Sequence, residues 1–263
     1  MKVPLVNGLN KTKGVEEAPE KILECLDEIY SNEMGREISL DHFNIDKILI
    51  DDDLVKTNDL IYRKAFDNFG NERILFLGGD HSVSYPLTRS FFDYTQNAGR
   101  EPAIIIFDAH PDLMEPVDQK IPTHEEWLRS LVNDGFDPKN ILIVGIRNAD
   151  PSEIQFLNEV GIKRMTINEM MFNMEEKTDA IMEFGYNKDV YLSIDIDVVD
   201  PAFAPGTGYC EPGGFTSREF LYIIQRMNKM KNLKAVDLVE VNPTKDVHDV
   251  TSQLAAKIVS ELN

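Results

Sequence analysis

At 263 residues, with 42% hydrophobic and 28% charged side chains, the chain is long enough to bury a substantial core and has an ordinary globular composition. Its 46 Asp and Glu against 27 Lys and Arg leave a formal charge of −19. That argues against nucleic acid as a partner, because phosphate binding depends on Lys and Arg, and it suits a small cationic substrate.

Short apolar runs of β type recur along the chain, at Val3–Val6, Lys47–Ile50, Ile74–Leu77, Ala103–Phe107, Ile141–Val144, Lys163–Thr166, Val190–Asp195 and Ala235–Val239. Several are apolar without alternation, as in Ile104-Ile105-Ile106, which is the pattern of parallel strands covered on both faces. Helix signals lie between them. Pro19 precedes Ile22, Leu23, Leu26 and Ile29 at helical spacing, and capping boxes are expected at Thr123/Glu126, Thr166/Glu169 and Thr216/Glu219. The alternation predicts an α/β protein, one domain over 1–263, built on one parallel sheet with helices on both faces. Two cysteines, Cys25 and Cys210, form neither a disulfide framework nor a zinc spacing. With no leader pattern and no run of membrane length, a cytoplasmic location is expected, with no membrane partner.

Three of these strands run into loops that carry acids and histidines. Ile74–Leu77 leads to Gly78-Gly79-Asp80-His81-Ser82, and Ala103–Phe107 leads to Asp108-Ala109-His110-Pro111-Asp112. Val190–Asp195 delivers Asp195 and Asp197 before a loop rich in Pro and Gly. The spacing of two in both acidic blocks aims side chains in one direction if the backbone is extended. Four carboxylates (Asp108, Asp112, Asp195, Asp197) and two imidazoles (His81, His110) are too acidic for one ordinary cation, whereas two divalent ions neutralise them. Such pairs sit about 3.5–4 Å apart and activate water. Oxygen-dominated ligation without thiolate favours Mn²⁺ over structural zinc. Asp80 and Asp200 read as turn formers.

On these blocks the chain resembles the ureohydrolase family, the arginase and agmatinase group, with GGDHS at 78–82, DAHPD at 108–112 and SIDIDVVDPAFAPGTG at 193–208 in matching order. The likeness extends to 213–219 and to Glu240-Val241-Asn242-Pro243, covers most of the chain from about Asn58, and is weaker through GVEEAPEKIL at 14–23. The resemblance implies a three-layer α/β sandwich with an eight-stranded parallel sheet, two Mn²⁺ per subunit, and hydrolysis of a guanidinium group to urea and an amine by a metal-bridging hydroxide. It implies that His81 and Asp112 hold one ion, His110 and Asp197 the other, with Asp108 and Asp195 bridging. Asp112 counts with His124 and Glu240 among the catalytic side chains. Glu240 would pair with the guanidinium, a planar donor array that a carboxylate matches. His124 would pass a proton to the leaving amine, its imidazole kept neutral at the start of a helix capped by Thr123. Family members often form trimers or hexamers, so a homo-oligomer is expected.

Three positions depart from the family. Glu125 stands where Gly is usual, Met114 where arginases carry a carboxylate-reading Asn, and Tyr209 where Thr is usual after the GTG turn. Met114 favours a substrate without the carboxylate, namely agmatine. Asp150 and Glu153 read mainly as a helix start, with a lesser claim to a distal amine of the substrate that comes from the resemblance of 147–153 to an arginase segment. Tyr209 narrows or reshapes the pocket, and Cys210 beside it either faces the pocket or, as is commoner for cysteine, is buried. The expected activity is agmatine hydrolysis, with an arginase or another guanidino-acid hydrolase as the alternative. Rival readings are a single-zinc amide hydrolase of the same general fold, disfavoured by the six-ligand set, and a non-catalytic metal-binding regulator.

Overall fold

Apolar runs without alternation become strands sandwiched between helices, because both faces of each strand must find an apolar partner. The computed structural model describes residues 1–9, 11–70 and 72–263. In chain order its elements are β1 (Lys2–Val3), α1 (Ala18–Asp27), α2 (Leu54–Asn68), β2 (Ile74–Gly78), α3 (Ser84–Asn97), β3 (Pro102–Phe107), α4 (Trp127–Asn133) and β4 (Ile141–Ile146). They continue with α5 (Pro151–Val160), β5 (Lys163–Thr166), α6 (Ile167–Phe172), α7 (Met174–Phe184), β6 (Asp189–Asp195), α8 (Ser217–Met227), β7 (Leu233–Val239) and α9 (Val250–Leu262). All strands pair in parallel in the order β1-β2-β7-β6-β3-β4-β5.

The period of two along each strand divides the core into two apolar layers. Ile105 and Phe107 of β3 pack with Leu192 and Ile194 of β6 against residues of α1, α8 and α9. Ile104 and Ile106 face the other way, with Tyr191, toward α2, α3 and α4. The three-layer α/β architecture is therefore as expected from the sequence. Among the described residues the sheet has seven strands where eight were expected. Lys47–Ile50 contributes one isolated bridge, Lys47 to Lys2, and an Ile48 N–H bond to Lys2 O, after which Leu49 is exposed. Its neighbour β1 is only two residues long and ends at Pro4, which has no N–H to extend a ladder.

Beyond β1, the amino-terminal segment is held by the Gly78-Gly79 turn. Gly79 N–H donates to Val3 O, Asp80 N–H donates to Leu5 O, and Glu240 N–H donates to Gly79 O. A Cβ on Gly79 would lie 1.9 Å from Leu5 O, so only glycine allows two backbones to approach this closely. Gly79→Ala should therefore lose at least about 1–3 kcal/mol of unfolding free energy in urea denaturation. Gly70→Ala, where a Cβ meets open space, should stay within about 0.5 kcal/mol of the parent. Equal effects at the two positions would show that the close approach is not holding this segment.

Candidate metal centre

Strands β2, β7, β6 and β3 lie side by side, and the order of connection reverses between β6 and β3. Open α/β sheets bind ligands at the carboxyl ends of strands beside such a switch point. There Asp108 follows β3, Asp195 ends β6, Asp197 lies in a 3₁₀ turn (Ile196–Val198), His81 opens a 3₁₀ turn after β2, and Glu240 follows β7. The acidic side chains converge by a route other than the extended backbone expected. Asp112 has φ 53° and Glu240 φ 62°, both in the left-handed region, and Asp197 is turned inward by its 3₁₀ turn. A non-glycine residue held there costs on the order of 1–3 kcal/mol, a strain found mainly at functional sites.

The six residues singled out from the sequence meet in one place. His81 Nδ1 lies 2.9 Å from Asp112 Oδ2, 3.1 Å from Asp108 Oδ2 and 3.3 Å from Asp195 Oδ2. His110 Nδ1 lies 3.0 Å from Asp197 Oδ2 and 3.6 Å from Asp108 Oδ1. Two sets of potential ligand atoms result, His81/Asp108/Asp195 and Asp108/His110/Asp197, each with its atoms within 4.8 Å of one another. Asp108 belongs to both and turns one oxygen to each imidazole, which is the placement a bridging ligand needs. His81 Nδ1 and Asp108 Oδ2 are buried without a hydrogen-bond partner of proper geometry, so the donor set fits a cation between them.

Other side chains orient this set. His81 Nε2 is 2.9 Å from Ser193 Oγ, and that hydroxyl donates to Asp237 Oδ1 at 2.7 Å. Asp237 is fully buried in β7 and also accepts from Ser84 Oγ and Tyr191 Oη. Trp127 Nε1 donates to Asp112 Oδ2 at 2.7 Å. Asp80 caps its own turn and accepts from Asn7 N–H, the structural role read from the sequence. Neither Asp237 nor Trp127 was anticipated as part of the site. The signals available were an acid inside the apolar run Ala235–Val239 and the single tryptophan of the chain.

Burial and mutual repulsion perturb several of these groups. Burial, then the Asp108 charge, pushes Asp112 up to about 7. Burial and the charges of Asp197 and Asp108 hold Asp195 well above the usual carboxyl range. Burial alone would lower His81 and His110, but the surrounding carboxylates outweigh it and raise both. Protons here occupy positions where positive charge is needed.

The centre forms the floor of a cavity of about 290 Å³, close to the lower end of the range for small-molecule sites. Its walls include Met114, His124, Glu125, Asp150, Tyr209 and Glu240. Glu240 Oε1 accepts from His81 N–H at 2.9 Å, whereas Oε2 is buried without a partner. His124 is buried, with Nε2 3.3 Å from Tyr209 Oη, which in turn donates to Glu125 Oε1 at 3.0 Å. The helix expected to begin at His124 begins at Trp127, and Thr123 Oγ1 makes no cap bond. Burial rather than a helix dipole therefore lowers His124 to about 4. The boxes at Thr166, Thr216 and Asp150/Glu153 are complete. Both carboxylate oxygens of Glu153 are used, one by Asp150 N–H and one by Leu113 N–H, which anchors the loop after Asp112. Cys210 is exposed rather than buried, and it does not line the cavity.

A sequence model of the Arginase family matches residues 1–263. The chain is 38% identical over 191 residues to the agmatinase of Bacillus cereus, covering 72% of this chain and 62% of that protein. It is 35% identical over 191 residues to mitochondrial arginase 1 of Oryza sativa subsp. indica, covering 72% of this chain and 54% of that protein. The match thus spans less than two thirds of the length of either relative. Among solved structures, proclavaminate amidino hydrolase from Streptomyces clavuligerus superposes with a TM-score of 0.86 at 28% identity, covering 99% of this chain and 88% of that one. With two groups of Asp and His side chains that could hold metal ions at the carboxyl ends of a parallel sheet and a family match over residues 1–263, the chain belongs to the arginase family.

Proposed function

We propose that the chain is a Mn²⁺-dependent ureohydrolase that cleaves agmatine to urea and putrescine. The observation that carries this reading is Glu240, whose buried, unpartnered Oε2 faces a cavity lined by carboxylates and, among the described residues, by no Lys or Arg. Burial and the neighbouring charge of Asp80 raise Glu240 well above the usual carboxyl range, so its ionised form awaits a cationic partner. A guanidinium supplies charge and a planar set of N–H donors together. Relatives named agmatinase, arginase and amidino hydrolase support the same class of group.

His81, Asp108, His110, Asp112, Asp195 and Asp197 would hold the two ions. Bound divalent ions supply positive charge and make water nucleophilic near neutral pH. Glu240 holds the guanidinium carbon over the floor of the cavity, with the His81 N–H fixing one of its oxygens. Orientation matters because this carbon is a poor electrophile. His124, neutral at pH 7 since burial lowers it to about 4, would take at Nε2 the proton that the attacking water gives up and pass it to the leaving amine. Asp150 takes both of its cap bonds on Oδ1 and lines the outer cavity, where it serves the distal amine. Tyr209 lines the cavity beside His110 and His124. A second reading, arginine or another guanidino acid, draws on Lys11, whose Nζ lies 4.4 Å over the Tyr209 ring and can receive a carboxylate.

Urea release from Mn²⁺-loaded protein should occur with agmatine and be at least about tenfold slower with arginine and guanidinobutyrate, since an unpaired buried charge costs at least about 1.4 kcal/mol. Faster release from arginine would establish the second reading. Asp195→Asn should lose bound metal and turnover together, measured by metal content and urea; full activity in that variant would sink the ligand assignment. Because Asp112, Asp195, His81 and His110 are all raised, metal must displace protons from them. Mn²⁺ affinity should accordingly rise as pH increases through about 7, the value to which Asp112 is raised, with proton release seen as buffer-dependent heat in calorimetry. Affinity independent of pH between about 6 and 8 would contradict this.

A further inference from the structure

One carboxylate near the centre has no part in the reading above. Glu211 lies in the loop after Tyr209, and its Oε1 sits 3.4 Å from His110 Nε2, the nitrogen that points away from Asp197 and Asp108. The same oxygen accepts from Asn148 Nδ2 at 2.7 Å. The Glu211 backbone is fixed as well, its carbonyl accepting from Arg147 Nε at 3.1 Å and Nη2 at 2.6 Å. Arg147 Nη2 also donates to Asp197 O at 2.6 Å, so one guanidinium ties the Glu211 loop to the turn that carries Asp197.

The two imidazoles of the centre are thus braced in different ways. His81 rests its outer nitrogen on Ser193 Oγ, backed by the buried Asp237. His110 rests its outer nitrogen on a half-buried carboxylate from a surface loop. A neutral imidazole carries its proton on one nitrogen only. An acceptor at Nε2 keeps the proton there and leaves the Nδ1 lone pair facing Asp197 and Asp108. A carboxylate in that position also makes the ligating nitrogen more basic and fixes the ring's orientation.

We infer that Glu211 is a positioning residue that holds His110 in the Nε2–H tautomer, so that the His110/Asp108/Asp197 side of the centre binds its ion through a brace the His81 side does not share. This rests on the two-ion reading proposed above. The affinity of one ion, and not the other, is then set by the loop that also carries Tyr209 into the pocket.

The test is calorimetric titration of metal-free protein with Mn²⁺, for the parent chain, Glu211→Ala and Glu211→Gln, with thermal unfolding of each metal-free protein alongside. The parent should bind two equivalents. Glu211→Ala should weaken one equivalent about 10–100-fold and leave the other unchanged. Glu211→Gln, whose amide oxygen still accepts from Nε2–H and Asn148, should recover most of that loss. Unfolding temperatures of the metal-free proteins should agree. Two equivalents of parental affinity in Glu211→Ala would overturn the inference, as would equal weakening of both with a lowered unfolding temperature, which would mark a general role in the loop. A parent chain that binds no Mn²⁺ would overturn the metal reading itself, and this inference with it.

Discussion

Mutual repulsion among buried carboxylates is the constraint on which the rest of this molecule depends. Asp108, Asp112, Asp195 and Asp197 are buried side chains brought within reach of two imidazoles at the floor of the cavity. Uncompensated, such a group is strongly unfavourable in a protein interior. Part of the compensation comes from the backbone, since Asp195 accepts from Asp197 N–H, Asp108 from His110 N–H, and Asp197 from Ala109 N–H. The remainder has to be cationic. The parallel ladder sets the geometry, pairing Phe107 with Ile194 and Asp195 with Val239, so that Asp108 and Asp195 come level at their strand ends and Glu240 follows one residue beyond. The two apolar layers keep those strands in register, and rigid elements hold reacting groups more tightly than free loops do.

Much of this was legible in the chain itself, for identifiable reasons. Ile104-Ile105-Ile106 and Ile141-Leu142-Ile143-Val144 suit strands buried on both faces, and β3 and β4 lie inside the sheet. The acids were recognisable because each block follows such a strand directly. Where the reading failed, the missing information was non-local. Lys47–Ile50 has the composition of a strand, but its fate depends on a two-residue neighbour ended by Pro4. Spacing predicted the convergence of Asp108, His110 and Asp112 but not its route, because the left-handed turn at Asp112 is enforced by tertiary packing around Trp127 and Leu113. The sequence predicts a neutral imidazole at His124 from a helix end, whereas burial is what lowers it. Glu211 reaches His110 directly and Asp237 reaches His81 through Ser193, each from a segment distant in sequence from the imidazole concerned, a separation no local pattern encodes.

The binding cavity has a similar division of labour. Its floor is built from strand ends, whereas its walls come from the 114–125 loop, the 148–153 helix start and the 208–211 loop. Chemistry is thereby attached to the sheet and selectivity to segments that can vary without disturbing it. Glu153 shows how the two are joined, since it caps α5 and also holds Leu113, one residue beyond Asp112.

Arg147 has a bearing on how such a pocket can change its ligand. It is a cation near an acidic cavity, yet its guanidinium is committed to the carbonyls of Asp197, Val198 and Glu211. Turning it toward a ligand carboxylate would free the turn beneath Asp197, so a new selectivity cannot be reached by re-aiming the charge already there. It has to be written at wall positions such as Met114 and Ala149, which line the cavity but carry none of the framework's hydrogen bonds on their side chains. The fold thus separates, within a few ångströms, the side chain that is unavailable to adaptation from those that are open to it.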